Sequence, residues 1–122
     1  MAAPNIVNVS SIFGKTVSAT LNTTTTTDIL TCPSDKVLKI NTIICANIDG
    51  TNNVDVTVYF YDSSAGNRKH LADVITVPAK STLVVISKDT AIYLEESDQI
   101  EAGASANSDC DIVISYEELD DA

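Results

Sequence analysis

Residues 54–62 read VDVTVYFYD, and apolar and polar side chains alternate along most of the stretch. An extended strand points successive side chains to opposite faces, whereas a helix repeats its faces about every 3.6 residues. One predicted face carries Val54, Val56, Val58 and Phe60, and the other carries Asp55, Thr57, Tyr59 and Tyr61. The stretch therefore predicts a β-strand whose first face is core and whose second face points outward.

Similar segments recur along the chain. Turn-forming residues separate short stretches rich in β-branched side chains, and no segment shows a convincing helical period. The predicted strands cover residues 5–9, 15–21, 28–32, 36–47, 54–62, 70–77, 82–87, 91–94, 99–104 and 111–116. The predicted fold class is all-β, a single antiparallel β-sandwich domain over residues 1–122. About eight to ten strands with a jelly-roll or Greek-key course are expected.

The segment just before residues 54–62 is crowded with side-chain oxygens. The residues that carry them are Asn47, Asp49, Thr51, Asn52, Asn53 and Asp55. A calcium loop of the EF-hand kind starting at Asn47 would need a bidentate glutamate at its twelfth position, which is Val58. Asp49-Gly50 instead matches the hairpin dipeptides that tolerate positive φ. We therefore predict a hairpin turn between the flanking strands and no metal site.

The composition is strongly acidic. Seventeen Asp and Glu against seven Lys and Arg leave a formal net charge of −10, which repels phosphate backbones and disfavours a nucleic-acid partner. The acids form two groups, Glu95, Glu96, Asp98 and Glu101 in the first and Glu117, Glu118, Asp120 and Asp121 in the second. Both groups are predicted to be solvated faces, with calcium binding at the first as the alternative.

No catalytic constellation emerges from the sequence. The single histidine, His70, is predicted to lie on the surface, and no serine or cysteine sits in a nucleophile-elbow context. Cys32, Cys45 and Cys110 are odd in number and widely spaced, which predicts reduced, buried thiols and not disulfides or zinc ligands. We therefore predict a protein that is not an enzyme and that needs no cofactor or metal.

The start of the chain lacks a secretory pattern, and no apolar run has the length of a membrane span. Assembly in a cytosol without a membrane partner is therefore expected. The run NTTTTTD at residues 22–28 is predicted to be an exposed edge or loop.

Surface residues are the remaining candidates for function. Tyr59 and Tyr61 are predicted to be exposed aromatics without an obvious use inside the chain, although ordinary cross-strand packing is the alternative. Near the start of the chain an apolar set would fray unless it packs on something: Ile6, Val7, Val9, Ile12 and Phe13. The tyrosines and this set together are the predicted interface.

Five stretches, taken in order and spacing, resemble a family of small virion structural proteins of tailed bacteriophages, especially marine and cyanobacterial phages. They are AAPNIVNVSSIFGKT (2–16), ANIDGTNNVDVTVYFYD (46–62), ITVPAKSTLVVISKD (75–89), AIYLEESDQIEAGASANSD (91–109) and ISYEEL (114–119). Two places depart from the pattern expected of that family, a serine in place of a glycine at Ser97 and an unusually monotonous threonine run at residues 23–27.

The resemblance implies a component of the virion. The function expected is a capsid decoration (cement) protein, a homotrimer that binds the major capsid protein on the outer shell in many copies. The alternatives are a tail, baseplate or fibre accessory protein, or a host-surface module that binds glycans through loops such as residues 63–68. An acidic mimic of DNA is disfavoured because the carboxylates gather in turns and near the C-terminus instead of along one face.

Overall fold

The computed structural model describes residues 9–121, and β-strands account for most of them. The strands are β1 (Val9–Thr20), β2 (Thr27–Thr31), β3 (Lys36–Asn47), β4 (Val54–Asp62), β5 (Asn67–Val77), β6 (Thr82–Ile86), β7 (Ile92–Leu94), β8 (Gln99–Ala104) and β9 (Cys110–Asp121). A single turn of 3₁₀ helix, Lys88–Thr90, separates β6 from β7. Among the described residues, no helix is long and apolar enough to cross a membrane.

The strands form two antiparallel sheets. Sheet A has the order β1-β9-β3-β6, with β7 also paired to β3, and sheet B has the order β2-β8-β4-β5. When β6 and β7 are taken as one interrupted strand, the pairs β1/β9, β2/β8, β3/β6 and β4/β5 nest inside one another along the chain. Nested pairs divided between two facing sheets are the course of a jelly roll. The predicted antiparallel sandwich is therefore confirmed.

The core lies between the two sheets and is built from their inward-facing residues. The predicted inner face of β4 is confirmed, because Val54 is 1% exposed and Val56 and Val58 are fully buried. Strands β3 and β9 of sheet A contribute fully buried isoleucines, Ile40, Ile43, Ile112 and Ile114. Each such side chain stabilises the fold by about 1.5–3 kcal/mol relative to an exposed one.

Phe60 departs from the predicted pattern because it is only partly buried. It lies towards the end of β4 and pairs with Lys69 of β5, the last strand of sheet B. The core is open there because no further strand follows β5. Phe60 therefore faces the core as predicted, but it is only partly buried because it lies at the edge of the sandwich.

Thr57 also departs from the prediction. It shares the outer face of β4 with Tyr59, yet it is only 6% exposed. Thr57 pairs with Gly103 of β8, and a Cβ on Gly103 would lie 2.5 Å from the Cα atom of Thr25. The threonine run was predicted to be an exposed edge or a loop, and it forms a loop. The backbone of this loop covers the part of sheet B around Gly103. Gly103 is required because the loop leaves no space for a side chain.

Strands β1 and β9 of sheet A are longer than predicted. β1 begins at Val9 and not at residue 15, and β9 continues to Asp121 instead of ending at Tyr116. The two strands pair with each other from Ile12 opposite Leu119 onward, so each supplies the other's backbone hydrogen bonds. The rest of the strand predicted at residues 5–9, together with Ile6 and Val7, lies outside the described residues.

The predicted Asp49-Gly50 hairpin is wrong. β3 belongs to sheet A and β4 to sheet B, so residues 48–53 cross from one sheet to the other. The tight hairpin in this region joins β4 to β5, where Gly66 has a φ of +69° and its N–H donates to the Asp62 carbonyl at 2.9 Å. Two strands that pair side by side and two strands that pack face to face both turn alternate apolar residues inward. Local alternation therefore cannot distinguish these arrangements.

The three cysteines are free thiols buried in the core, with exposures of 2% for Cys32 and 0% for Cys45 and Cys110. Burial raises the pKa of Cys32 to about 11. A hydrogen bond with the Cys110 thiol, together with burial, raises the pKa of Cys45. Because Cys45 pairs with Ile112 while Cys110 pairs with Asn47, the two cysteines are diagonal neighbours on adjacent strands. Diagonal Cα atoms are about 7–8 Å apart, whereas disulfides rarely span more than about 6.8 Å.

These thiols are expected to be almost inert in the folded protein. A thiol reagent reacts with the thiolate, and burial suppresses both the thiolate and the access of the reagent. Ellman's reagent at neutral pH should therefore react slowly with the native protein and should count three thiols after denaturation without reductant. Fewer than three thiols in the denatured sample would contradict this prediction, as would rapid reaction of the native protein.

Candidate interaction surfaces

The structure places the predicted interface residues on two separate parts of the sandwich. Tyr59 and Tyr61 lie on the outer side of β4 in sheet B, as predicted. Ile12 and Phe13 lie on β1, at the edge of sheet A, with exposures of 59% and 48%. Val9 begins the same strand. In the described residues, these are therefore two surfaces and not one continuous patch.

The first surface is a tyrosine–arginine cluster formed by Tyr59, Tyr61, Arg68, His70 and Glu101. The β4–β5 register brings Tyr59 opposite His70 and Tyr61 opposite Arg68, and Glu101 of β8 flanks Tyr59 on the other side. The Arg68 guanidinium carbon lies 5.9 Å from the Tyr59 ring centroid and 5.2 Å from that of Tyr61. The Tyr59 and His70 rings are 4.6 Å apart, centroid to centroid.

An ion pair holds the centre of this cluster in place. Arg68 Nε donates to Glu101 Oε1 at 2.8 Å, and a longer contact of 3.4 Å joins Nη2 to Oε2. The hydrogen bond to Glu101 raises the pKa of the Arg68 guanidinium above its ordinary value. The assumption that Tyr59 and Tyr61 have no use inside the chain is therefore wrong, since both rings lie against Arg68. Rigid tyrosine and arginine side chains still suit a protein interface, because little entropy is lost when they bind.

The buried carboxylates correct a second prediction. Asp98, Glu101 and Glu118 belong to the acidic groups predicted to be solvated, yet they are 5%, 5% and 8% exposed. Glu101 is paired with Arg68, and Glu118 Oε2 accepts from Lys15 Nζ at 3.1 Å. Burying a carboxylate is tolerated when donors replace its lost water. The prediction of a solvated face is wrong for these three residues.

Asp98 is held by backbone donors from two different turns. Its Oδ1 accepts from the Ser63 N–H and its Oδ2 from the Glu95 N–H, both at 3.0 Å. The carboxylate thereby ties the turn before β8 to the hairpin between β4 and β5. Ser97 within the first turn has a φ of +69°, in the left-handed region that glycine adopts most readily. This conformation gives a physical reason for expecting a glycine at that position.

The second surface is the free edge of β1. The strand has 12 residues, and its register with β9 is regular from Ile12 to Thr20. It contains no proline, and Lys15 is its single charged residue. Ile12 pairs with Leu119 and Phe13 with Glu118, so the two large apolar side chains point to opposite faces of the sheet. Free edges of this kind favour pairing or packing with another chain.

The other described sheet edges carry features that discourage such pairing. β2 and β6 have five residues each and β7 has three, and β2 is also irregular next to Asp28. β5 carries consecutive exposed cationic residues in its first half and an irregularity around Val74, which has a φ of +50°. A positive φ is an outlier for a β-branched residue. Charges, bulges and short length all protect a sheet edge. Among the described edges, β1 is the long one whose register is regular from Ile12 to Thr20, since its one irregularity lies between Val9 and Ile12 and Lys15 is its single charge.

The oxygen-rich loop at residues 47–53 satisfies its own backbone donors. Asp49 Oδ1 accepts from the N–H of Thr51 at 2.8 Å and from the N–H of Asn52 at 3.2 Å, which holds the pKa of Asp49 below its ordinary value. Asn47 Oδ1 accepts from the Asp49 N–H, and its Nδ2 donates to the Val77 carbonyl, both at 2.9 Å. These oxygens orient the chain as it crosses between the sheets.

Calcium titration of the protein is therefore expected to show no binding tighter than millimolar and no rise in melting temperature. A cation would have to compete with backbone donors for the Asp49 carboxylate, and a bidentate glutamate is missing from this loop. Calorimetry provides the measurement, with Asp49→Ala as the comparison variant. Micromolar binding that disappears in Asp49→Ala would contradict the prediction.

Comparison with known proteins adds no relative. None of the known family models matches this sequence, and no curated protein matches it at a significant level. The sandwich, the tyrosine–arginine cluster and the free edge of β1 are thus the features from which a function can be argued.

The sequence pattern singles out the two tyrosines as surface residues but does not indicate the roles of Arg68, Glu101 and Asp98. Part of the cluster had a usable signal, because a hairpin closed at residues 63–66 sets Arg68 beside Tyr61. Glu101 had no such signal, since its place beside Tyr59 depends on the pairing of β4 with β8, and β5, β6 and β7 lie between these two strands in the sequence.

Proposed function

We propose that this chain is a non-enzymatic structural protein of a tailed-phage virion, and specifically a capsid decoration protein. It binds the outer shell in many copies as a homotrimer, with the major capsid protein as its partner. The particle forms in the host cytoplasm. The resemblance of five sequence stretches to small virion proteins suggests this setting, and the fold supplies a surface suited to assembly.

The free edge of β1 is the observation that carries the proposal. Within the described residues, the outer side of the segment from Ile12 to Thr20 pairs with no strand. This segment exposes two large apolar side chains, Ile12 and Phe13, and has no protective charge cluster or proline. A protein that acts alone gains nothing from such an edge and risks aggregation. A protein that works by assembly uses it as a contact, and repetition over a lattice turns a modest contact into firm attachment.

The tyrosine–arginine cluster supports the same role. Its aromatic and guanidinium groups are held in place before any partner arrives, so a contact there loses little side-chain entropy. The charge of Arg68 is balanced by Glu101, so a contact there rests on aromatic packing and hydrogen bonds more than on net charge.

Copy number in purified virions tests the proposal. Quantitative mass spectrometry should find the chain in numbers comparable with the shell lattice, and the Tyr59→Ala/Tyr61→Ala variant should occupy fewer shell sites while remaining folded by circular dichroism. A copy number limited to a few or a dozen would favour the tail, baseplate or fibre alternative instead. Absence from virions would overturn the proposal, and glycan-array binding by the purified protein would then favour the host-surface alternative.

A further inference from the structure

The outer face of sheet B carries a polar pocket between the loop of the threonine run and strand β5. The pocket has a volume of about 300 Å³ and is lined by Thr23, Thr25, Asp55, Thr57, Val74, Ala104 and Ser105. Most of these residues bear side-chain oxygens, since four carry a hydroxyl and one carries a carboxylate. A cavity of about 150 Å³ holds a benzene ring, so this pocket has room for a six-membered ring with polar substituents.

A bulge in β5 forms one wall of the pocket. The β4–β5 register places Asp73 and Val74 together opposite the single residue Thr57. Val74 has a φ of +50°, and its N–H donates to Thr57 Oγ1 at 3.3 Å. Backbone outliers of this kind persist only where the surrounding structure holds them, and they cluster at ligand-binding sites. β-bulges likewise redirect side chains beside such sites. A bound ligand would give this strained wall a function.

The pocket presents hydrogen-bonding groups that the protein itself does not use. Thr57 is only 6% exposed, and although its oxygen accepts the Val74 N–H, no described residue accepts its hydroxyl proton. Asp55 Oδ1 already accepts a hydrogen bond at 2.7 Å, whereas none of the described residues donates to Asp55 Oδ2. The hydroxyls of Thr23 and Thr25 also make no hydrogen bond within residues 9–121. Since each hydroxyl can both donate and accept, the pocket offers several donors beside one carboxylate oxygen.

This set of groups favours a neutral polyhydroxylated ligand over a charged one. The carboxylate and the net charge of −10 repel anions. Within residues 9–121, no group of three or more His, Cys, Asp or Glu side chains could hold a metal ion, and calcium sites draw on several carboxylate and carbonyl oxygens. An alkylammonium ion carries only donors and would leave the threonine hydroxyls without acceptors. Neighbouring hydroxyls of a sugar ring can donate to the carboxylate and accept from the threonines at the same time.

We propose that this pocket binds a neutral pyranose ring. Asp55 Oδ2 accepts from one sugar hydroxyl, the hydroxyls of Thr25 and Thr57 donate to its neighbours, and Val74 covers a C–H face of the ring. The lining has no aromatic side chain on which the sugar could stack, so a single site binds weakly, in the millimolar range. Many copies on one particle would multiply weak sites into firm attachment. The pocket is separate from residues 63–68, the loop considered for glycan binding from the sequence.

Sugar titrations of the isotope-labelled protein, followed by two-dimensional amide NMR, test the pocket. The panel is glucose, galactose, mannose and N-acetylglucosamine, and at least one of them should cause saturable shifts of the amide signals of Asp55, Val74 and Ser105. Asp55→Asn keeps an oxygen for its bond from Thr76 but turns an NH₂ group towards the pocket. This variant should bind the responding sugar about tenfold more weakly or worse, because a donor then replaces the acceptor.

A second variant blocks the pocket without removing a hydrogen bond. The Thr23 side chain makes none among the described residues, so Thr23→Trp fills the space and should abolish the sugar-induced shifts. Asp89→Asn, at an exposed aspartate outside the pocket, is the matched control and should bind like the parent. Circular dichroism must report a folded sheet in every variant.

Three outcomes would overturn the inference. The first is the absence of saturable shifts with every sugar of the panel. The second is unchanged sugar binding in both Asp55→Asn and Thr23→Trp. The third is a response of the same amides to calcium or butylammonium without a response to any sugar.

Derivatives of the responding sugar distinguish the two sources of a pyranose ring. Binding that survives in the methyl glycoside and tightens in a short oligosaccharide identifies a unit of a glycan, whereas binding of the reducing sugar alone identifies a free monosaccharide. Either result supports the pocket. The inference goes beyond the decoration role and does not rest on it. Sugar binding by a protein absent from virions would leave the pocket intact, and lattice copy number without sugar binding would leave only the decoration role.

Discussion

Val56→Asp is expected to abolish folding. Val56 is 0% exposed at the centre of the inner face of β4. The substitution removes an apolar side chain and places a carboxylate where no polar donor is available, so the group must either remain charged without partners or take up a proton. Domains of this size have a total stability of only about 5–15 kcal/mol, and a buried unpaired charge removes a large part of it.

The measurement is the yield of soluble protein together with its circular dichroism spectrum. Val84→Asp is the matched control, because Val84 is a valine in a strand with 58% exposure. We expect the control to lose about 1 kcal/mol or less, as strand propensity alone is affected. A soluble, folded Val56→Asp protein would mean that the inward and outward faces of β4 are interchanged.

Asp98→Ala is expected to produce the second-largest loss of stability. The carboxylate is 5% exposed and accepts one backbone hydrogen bond from Ser63 and one from Glu95. Hydrogen bonds to charged groups contribute about 1.5–3 kcal/mol each, so losing both should lower the free energy of unfolding by about 3–6 kcal/mol. The loss includes the cost of leaving two backbone N–H groups without acceptors.

Urea denaturation of three variants separates this effect from a general loss of charge. Asp98→Asn should be intermediate, because its amide keeps one acceptor oxygen but presents an NH₂ group to the other donor. Asp89→Ala removes an exposed aspartate and should stay within about 0.5 kcal/mol of the parent. An Asp98→Ala protein as stable as Asp89→Ala would show that the two turns do not depend on the carboxylate.

Val56→Asp and Asp98→Ala together show why charge count alone says little about this protein. Both concern an aspartate in a buried position, but one has two backbone donors and the other has none. The net charge of −10 describes the protein's long-range field. Local donors decide whether an individual carboxylate stabilises the fold or prevents it.

The interaction surfaces depend on the fold in a similar way. Ile12 and Phe13 could be selected from the sequence as apolar residues, but their importance comes from the position of β1 at a sheet edge. The same residues in a central strand would be buried between neighbours. A groove lined by Phe60, Lys69, Leu71, Ile92 and Tyr93 likewise exists only because β5 and β7, from different sheets, end the sandwich on the same side.

Alternation along the chain was sufficient to predict the all-β class, the sandwich and most strands. A period of two assigns each residue to one face of its strand, and the apolar faces of the strands pack together to form the core. The inward set Val54, Val56 and Val58 and the outward pair Tyr59 and Tyr61 follow from this rule. The burial of the three cysteines follows from their apolar strand contexts.

The partners of each strand were decided by the tertiary structure. Alternation is the same whether two strands pair within one sheet or face each other across the core, which is why the Asp49-Gly50 dipeptide wrongly predicts a hairpin. Long-range pairing also determined that Glu101 meets Arg68 and that the Asp98 carboxylate reaches the Ser63 N–H. Face preference is a local property of the chain, whereas strand order depends on contacts between residues far apart in sequence, and those contacts place both interaction surfaces.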